Sequence, residues 1–277
     1  MARNRRRDWR SDDEPVADVY PPLKSGRAKA QRPDIPRLHP GDPSVETILM
    51  SGDLVSAKAI PWGSNYSFVV ALGRASVPEC LAVYKPRQGE IPLWDFPDGT
   101  LFKREYAAYR VSLALGMRFI PPVVIREGPH GIGTFQLFVE QDEAVEYYSF
   151  RDQHADELRA ISLFDFVTNN ADRKAGHCFK CRDGQIWGID HGLTFNVVPK
   201  LRTVIWDFCG QLLPDELATT VLELATSPEK SNALRSELGD LLHPSEIDAF
   251  FARLERIADR CEFPTLDPHR NVPRGFF

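Results

Sequence analysis

The sequence predicts an α+β chain of two lobes, the first strand-rich and the second helical. Two patterns carry this expectation. Up to about residue 140, short apolar segments bounded by Gly, Pro and Asn recur, with one amphipathic helix among them. Beyond about residue 141, apolar residues recur at helical spacing. With 277 residues and 43% hydrophobic content, the chain can bury a sizeable core. The expected division is an arm over 1–43, a sheet lobe over 44–140 and a helical lobe over 141–277.

The arm differs in composition from the rest. It holds seven of the 22 prolines, ten Lys/Arg and seven Asp/Glu, with few large apolar side chains. Such a stretch buries too little surface to offset its ordering entropy, so disorder is expected. The basic run RNRRRDWR suits an acidic protein partner or a membrane surface, but SDDEP follows at once and blunts that charge.

Strand signals open the folded part. DLVSAKAI (53–60) and YSFVVAL (66–72) flank PWGSN, and CLAVYK (80–85) ends in Lys85. The loop PRQGEIPLWDFPDGT carries Pro and Gly punctuation. LFKREYAAYRVSLALG (101–116) reads as a helix, with Phe102, Tyr106, Tyr109 and Leu113 on one face and Gly116 at its end. PVVIR (122–126) and GTFQLFVE (133–140) complete the sheet. The second lobe opens with an apolar helix, ADELRAISLFDFVTNN (155–170). A hairpin built on CFKC, RDG and QIWGI follows, then helices over 214–225, 228–242 and 245–261. Ser245 and Asp248 suggest a capping box for the last of these.

Bulk properties exclude several classes. A net charge of -5 argues against a dedicated nucleic-acid binder. Five cysteines, Cys80, Cys178, Cys181, Cys209 and Cys261, do not make a disulfide scaffold, and a reducing cytoplasm is the expected setting. No apolar run reaches bilayer-spanning length, and the N-terminus lacks the apolar segment of a secretion signal.

Five features in order suggest chemistry. Gly63, Ser64 and Asn65 lie in a turn between two strands, where exposed amides make an anion-binding concavity or simply a hairpin turn. Lys85, at a strand end, is placed to pair with phosphates, and Glu105 on the next helix to hold it. Asp172, in NADRKAGHC after the apolar helix, suits a group that accepts a hydroxyl proton. Arg173 and Lys174 beside it suit neutralisation of phosphate charge. Asp190, in GIDHGLTF, suits a hard cation. Each residue alone also reads as a surface, cap or turn residue.

Taken together, AVYKP, NNADRKAGHCFK and IDHGLTF resemble the lysine strand, catalytic loop and metal loop of the phosphatidylinositol 3-/4-kinase-like family. The likeness is greatest to the type II 4-kinase branch and to an actinobacterial family assigned to it, and it covers about residues 45–215. It implies a protein-kinase-like fold with ATP in the cleft between lobes. Gly63, Ser64, Asn65 and Lys85 would then meet the phosphates, with Glu105 partnering the lysine. Phe138 and Glu140 would lie on the adenine hinge, in FQLFVE. Asp172 would be the catalytic acid/base and Asp190 the ligand of Mg²⁺ or Mn²⁺. The family's loop carries His two places after the Asp and Asn five places after it. Lys174 and His177 stand there in this chain, so His177 takes the second metal-ligand position, and imidazole suits Mg²⁺ less well than an amide oxygen.

These residues imply phosphoryl transfer from ATP to a hydroxyl of a protein, small metabolite or inositol lipid. His177 motivates the alternative of a catalytically silent nucleotide-binding scaffold. Transfer of AMP is a third reading. A zinc site from His177, Cys178 and Cys181 with His191 or Cys209 is weaker, because strand residues three apart point to opposite faces.

Overall fold

The computed structural model describes residues 35, 38–61 and 65–273. Gly63, Ser64 and most of the expected arm lie outside the described residues. The packed chain nonetheless begins before residue 44. Ile35 is buried, and Leu38 packs against the core of the first lobe.

A short helix, α1 (Val45–Ser51), comes first. Strands β1 (Asp53–Ala59), β2 (Phe68–Arg74) and β3 (Val77–Pro86) follow. Helix α2 (Leu101–Ala114) leads to β4 (Val123–Gly128) and β5 (Gly131–Leu137). The five strands form one antiparallel sheet in the order β1-β2-β3-β5-β4. Side chains alternate along β3. Cys80, Ala82 and Tyr84 point into a core roofed by Val45, Ile48 and Leu49 of α1. Period two therefore turns Leu81, Val83 and Lys85 to the opposite face, toward the second lobe.

The second lobe holds α3 (Tyr147–Phe150) and α4 (Ala155–Thr168), then a hairpin of β6 (Cys178–Lys180) and β7 (Ile186–Gly188). Helices α5 (Asp215–Thr226), α6 (Pro228–Gly239) and α7 (Pro244–Arg260) close it. The expected box on Ser245 and Asp248 is displaced. Pro244 occupies the first turn, and the reciprocal bonds join His243 and Glu246. Pro is favoured at that first helical position, which moves the cap back to His243.

Helix α2 belongs to both lobes. Ala107, Ala108 and Val111, with Leu115 just past its end, pack into the core that α4 and α7 also line. Its first turn has no capping side chain from Thr100. The Glu90 carboxylate reaches in instead, accepting from Leu101 N at 3.1 Å and Phe102 N at 2.8 Å. A carboxylate there satisfies two free amides and favours the positive end of the helix dipole. Arg104, fully buried, pins α2 to the second lobe through Glu246 Oε1 at 2.6 Å and Thr194 O at 2.7 Å.

Between lobes the chain crosses at 138–141. Phe138 N donates to Leu81 O at 2.9 Å, while Gln141 bridges to Cys181. Val139 touches both the sheet core and the cluster of Phe179, Cys181 and Trp187. Among the described residues, no helix is long and apolar enough to cross a membrane.

Candidate active site

Lys85 sits where β3 meets the cleft, and its ammonium bridges the lobes. Nζ lies 2.7 and 2.9 Å from the two Glu105 oxygens and 3.0 Å from Asp190 Oδ1. Burial opposes its charge, but Asp190 and Glu105 outweigh that and hold the lysine protonated, its pKa raised. Glu105 reaches it because α2 turns that face inward, with its carboxylate almost fully buried. Asp190 is half-exposed. The Lys85 ammonium holds its carboxyl well below the usual carboxylate range.

Asp190 adopts a left-handed backbone, φ 65°. For a non-glycine residue this costs on the order of 1 kcal/mol, although Asp tolerates it better than most. His177 lies on the other side of the same carboxylate, with Nε2 3.4 Å from Asp190 Oδ2. Burial lowers the His177 pKa, so the ring is neutral at physiological pH, while its Nδ1 is buried without a partner. A half-exposed carboxylate beside a neutral imidazole offers an oxygen donor and a nitrogen donor to a divalent cation, the oxygen being the better match for Mg²⁺ or Mn²⁺.

Asp172 follows α4 after two asparagines with separate tasks. Asn169, left-handed at φ 56°, caps the helix, and its side chain bonds Asn196 O, Val198 O and Lys200 N. Asn170 Oδ1 accepts from Asp172 N at 3.0 Å, and its Nδ2 donates to Asp165 at 2.8 Å. The Asp172 carboxylate pairs with Lys174 Nζ at 3.0 Å, both partly exposed.

Arg173 corrects the expectation drawn from its position. It does not face phosphate. Its guanidinium is fully buried and forks onto Asp165, with Nε to Oδ2 and Nη2 to Oδ1 both at 2.8 Å. Nη1 donates to His177 O and Ile189 O, each at 3.2 Å, and Nη2 lies 2.7 Å from His191 Nε2. Arginine only donates, so His191 accepts at Nε2 and carries its proton on Nδ1. Burial, reinforced by Arg173, keeps that imidazole neutral.

The remaining candidates fall as follows. Asn65 is described, and its Oδ1 accepts from Ile91 N at 2.9 Å, which ties the turn to the β3–α2 loop. Phe138 is partly exposed at the crossing between lobes, and Glu140 lies two residues on. Cys178 and Cys181 are buried, and burial pushes both thiols up to about 11. Among the described residues, no three His, Cys, Asp or Glu side chains are grouped to hold a metal ion. The zinc reading also loses His191 to Arg173.

Comparison with known proteins bears on this arrangement. The sequence model of the family described as phosphatidylinositol 3- and 4-kinase matches residues 126–242, a span holding Asp172, His177 and Asp190. Protein Rv2133c of Mycobacterium tuberculosis is 37% identical over 263 residues, covering 82% of this chain and 93% of that protein. Phosphatidylinositol 4-kinase gamma 4 of rice is 31% identical over 87 residues, 28% of this chain and 15% of that one. The chain belongs to the phosphatidylinositol 3-/4-kinase-like family. The fold of this family member is kinase-like. A crystal structure of the Golgi casein kinase aligns with a TM-score of 0.50 at 16% identity, covering 79% of this chain and 74% of that one.

Within this kinase-like chain, several side chains that shape the site escape motif reading. Asp165, Glu90 and Arg104 lie outside the quoted motifs, and Asn170 and His191 lie inside them but had no part in the kinase reading. One signal was present for Asp165, a lone acid inside the apolar run SLFDFVT. A charge on a buried helix face needs a partner, and Arg173 supplies it.

Proposed function

We propose that this chain transfers the γ-phosphoryl group of ATP to a hydroxyl of a protein, small metabolite or inositol lipid. One observation carries the reading: a single ammonium, Lys85, joins two carboxylates far apart in the chain, Glu105 of α2 and Asp190 of the second lobe. Lys85 would meet the ATP phosphates as a point charge while Glu105 keeps it extended. Asp190, with His177 beside it, would hold Mg²⁺ or Mn²⁺. When bound, that cation neutralises charge on the β- and γ-phosphates. Asp172 accepts the proton of the acceptor hydroxyl as that oxygen bonds to phosphorus and the bond to ADP breaks. Lys174, paired with Asp172, would neutralise charge on the transferring oxygens. Gly63, Ser64 and Asn65 would cover the phosphates, with Phe138 and Glu140 at the adenine end. A cytoplasmic setting belongs to the same reading, from the sparse, odd cysteine count.

The orphaned His177 Nδ1 favours a second reading, a nucleotide-binding scaffold without turnover. Histidines that ligate metals ordinarily donate their other nitrogen to an acceptor. Release of phosphate label from γ-labelled ATP separates the two. Turnover that falls about a thousandfold in Asp172→Ala supports the transferase. ATP binding with no release of label, in wild type and variant alike, supports the scaffold. In a parallel assay with α-labelled ATP, label that becomes attached to an acceptor, with pyrophosphate leaving, supports AMP transfer instead.

A further inference from the structure

We infer that Arg173, seated on Asp165, is a positioning residue that clamps the residues on both sides of Asp190, through the Ile189 carbonyl and the His191 ring, and couples them to the catalytic loop. The inference deepens the phosphotransferase reading and rests on it for its kinetic consequences. Its geometric basis stands apart.

Ile189 and His191 flank Asp190, and Arg173 holds both. Nη1 takes the Ile189 carbonyl at 3.2 Å, and Nη2 takes His191 Nε2 at 2.7 Å. With its neighbours fixed, Asp190 keeps the left-handed backbone that its sequence does not require. That backbone aims Oδ1 at Lys85 and Oδ2 at His177. The same Nη1 also takes the His177 carbonyl, and Ile189 N donates to that carbonyl at 3.0 Å. One guanidinium thus sets both groups facing the cation position.

The clamp reaches the other carboxylate through two routes. Arg173 is the chain neighbour of Asp172. Asp165 Oδ1 also accepts from Asn170, whose own oxygen accepts from Asp172 N. Asp165, Asn170, Arg173 and His191 are all fully buried, so water does not compete for these bonds. Phosphoryl transfer depends on holding nucleophile, phosphate and cation in line, so a displacement of either carboxylate should appear in turnover before affinity.

Two substitutions of His191 test the clamp. His191 lies between Phe119 and Phe164, with ring centroids 6.1 and 5.6 Å away, so His191→Phe keeps an aromatic ring there and removes the Nε2 acceptor together with the unpartnered Nδ1–H. His191→Gln keeps an acceptor. In His191→Phe, kcat is expected to fall about tenfold with KM for ATP little changed, and amide hydrogen exchange over 189–192 to quicken about tenfold. His191→Gln should restore both. A His191→Phe protein with kcat and exchange like wild type overturns the clamp, as does a Gln variant that behaves like Phe. Should the Phe variant fail to fold, Arg173→Lys, which keeps the charge but loses the fork, must show the same faster exchange at 189–192. Normal exchange there overturns the inference. A wild-type protein that never turns over ATP defeats the phosphotransferase reading instead, and the exchange comparison still decides the clamp.

Discussion

Asp190→Asn is expected to lower ATP turnover by about three orders of magnitude while the chain stays folded. The carboxylate is half-exposed, so the change buries no unpaired group in the core. It does remove the charge that faces both Lys85 and the cation position. Lys85 then keeps only Glu105 and is free to swing toward α2, away from the phosphates. Affinity for ATP in the absence of a divalent cation should change little, because the amide still fits. Steady-state kinetics with and without Mn²⁺ separate these effects. A variant that retains more than about a tenth of wild-type turnover means that Asp190 does not serve the cation, and the assignment of the metal loop fails.

Asp165→Ala has the largest expected effect on stability. It leaves the Arg173 guanidinium buried with no opposite charge, a change that typically costs about 3–5 kcal/mol. That is a large share of the roughly 5–15 kcal/mol that holds a domain together. The loss spreads along the hub, because Asn170 Nδ2 also loses its acceptor and Asp172 its support. Urea denaturation followed by circular dichroism measures it. A midpoint lowered in proportion to several kcal/mol is expected. A shift worth less than about 1 kcal/mol indicates that Arg173 finds water or another partner, and that the pair is not the keystone of the loop.

Much of the fold was legible because alternation and helical periodicity are strong local signals. The sheet strands and helices 101–114, 155–168 and 244–260 fall close to where apolar spacing puts them. What escaped had short or unusual signals. Helix α1 spans only seven residues. Strand β3 begins at Val77 rather than near residue 80, because Ala75 and Ser76 both take positive φ and close a tight hairpin without the usual Asn-Gly. The cap on α2 comes from Glu90, eleven residues before the helix, a distance that no local motif spans.

The site divides in the same way. Lys85, Glu105, Asp172, Asp190 and His177 could be listed from motif order; Lys85, Glu105, Asp190 and His177 form one chain of contacts, and Asp172 is tied to it through Asn170, Asp165 and Arg173. Arg173 could not be assigned from its neighbours. An arginine beside a catalytic aspartate suggests phosphate, yet the guanidinium turns inward, because α4 buries Asp165 and that charge has to be met. Long-range charge pairing of this kind depends on packing, which a one-dimensional pattern does not carry.

Phosphoryl transfer by these groups requires that they bind a nucleotide together with a divalent cation. Thermal unfolding of the 277-residue chain, with ATP alone, with Mg²⁺ or Mn²⁺ alone and with both, measures this directly, since a ligand that binds only the native form raises its apparent stability. The expected result is a rise in Tm with ATP that grows when the cation is added and vanishes in Lys85→Ala. No response to ATP under any cation, or an equal response in Lys85→Ala, would contradict it.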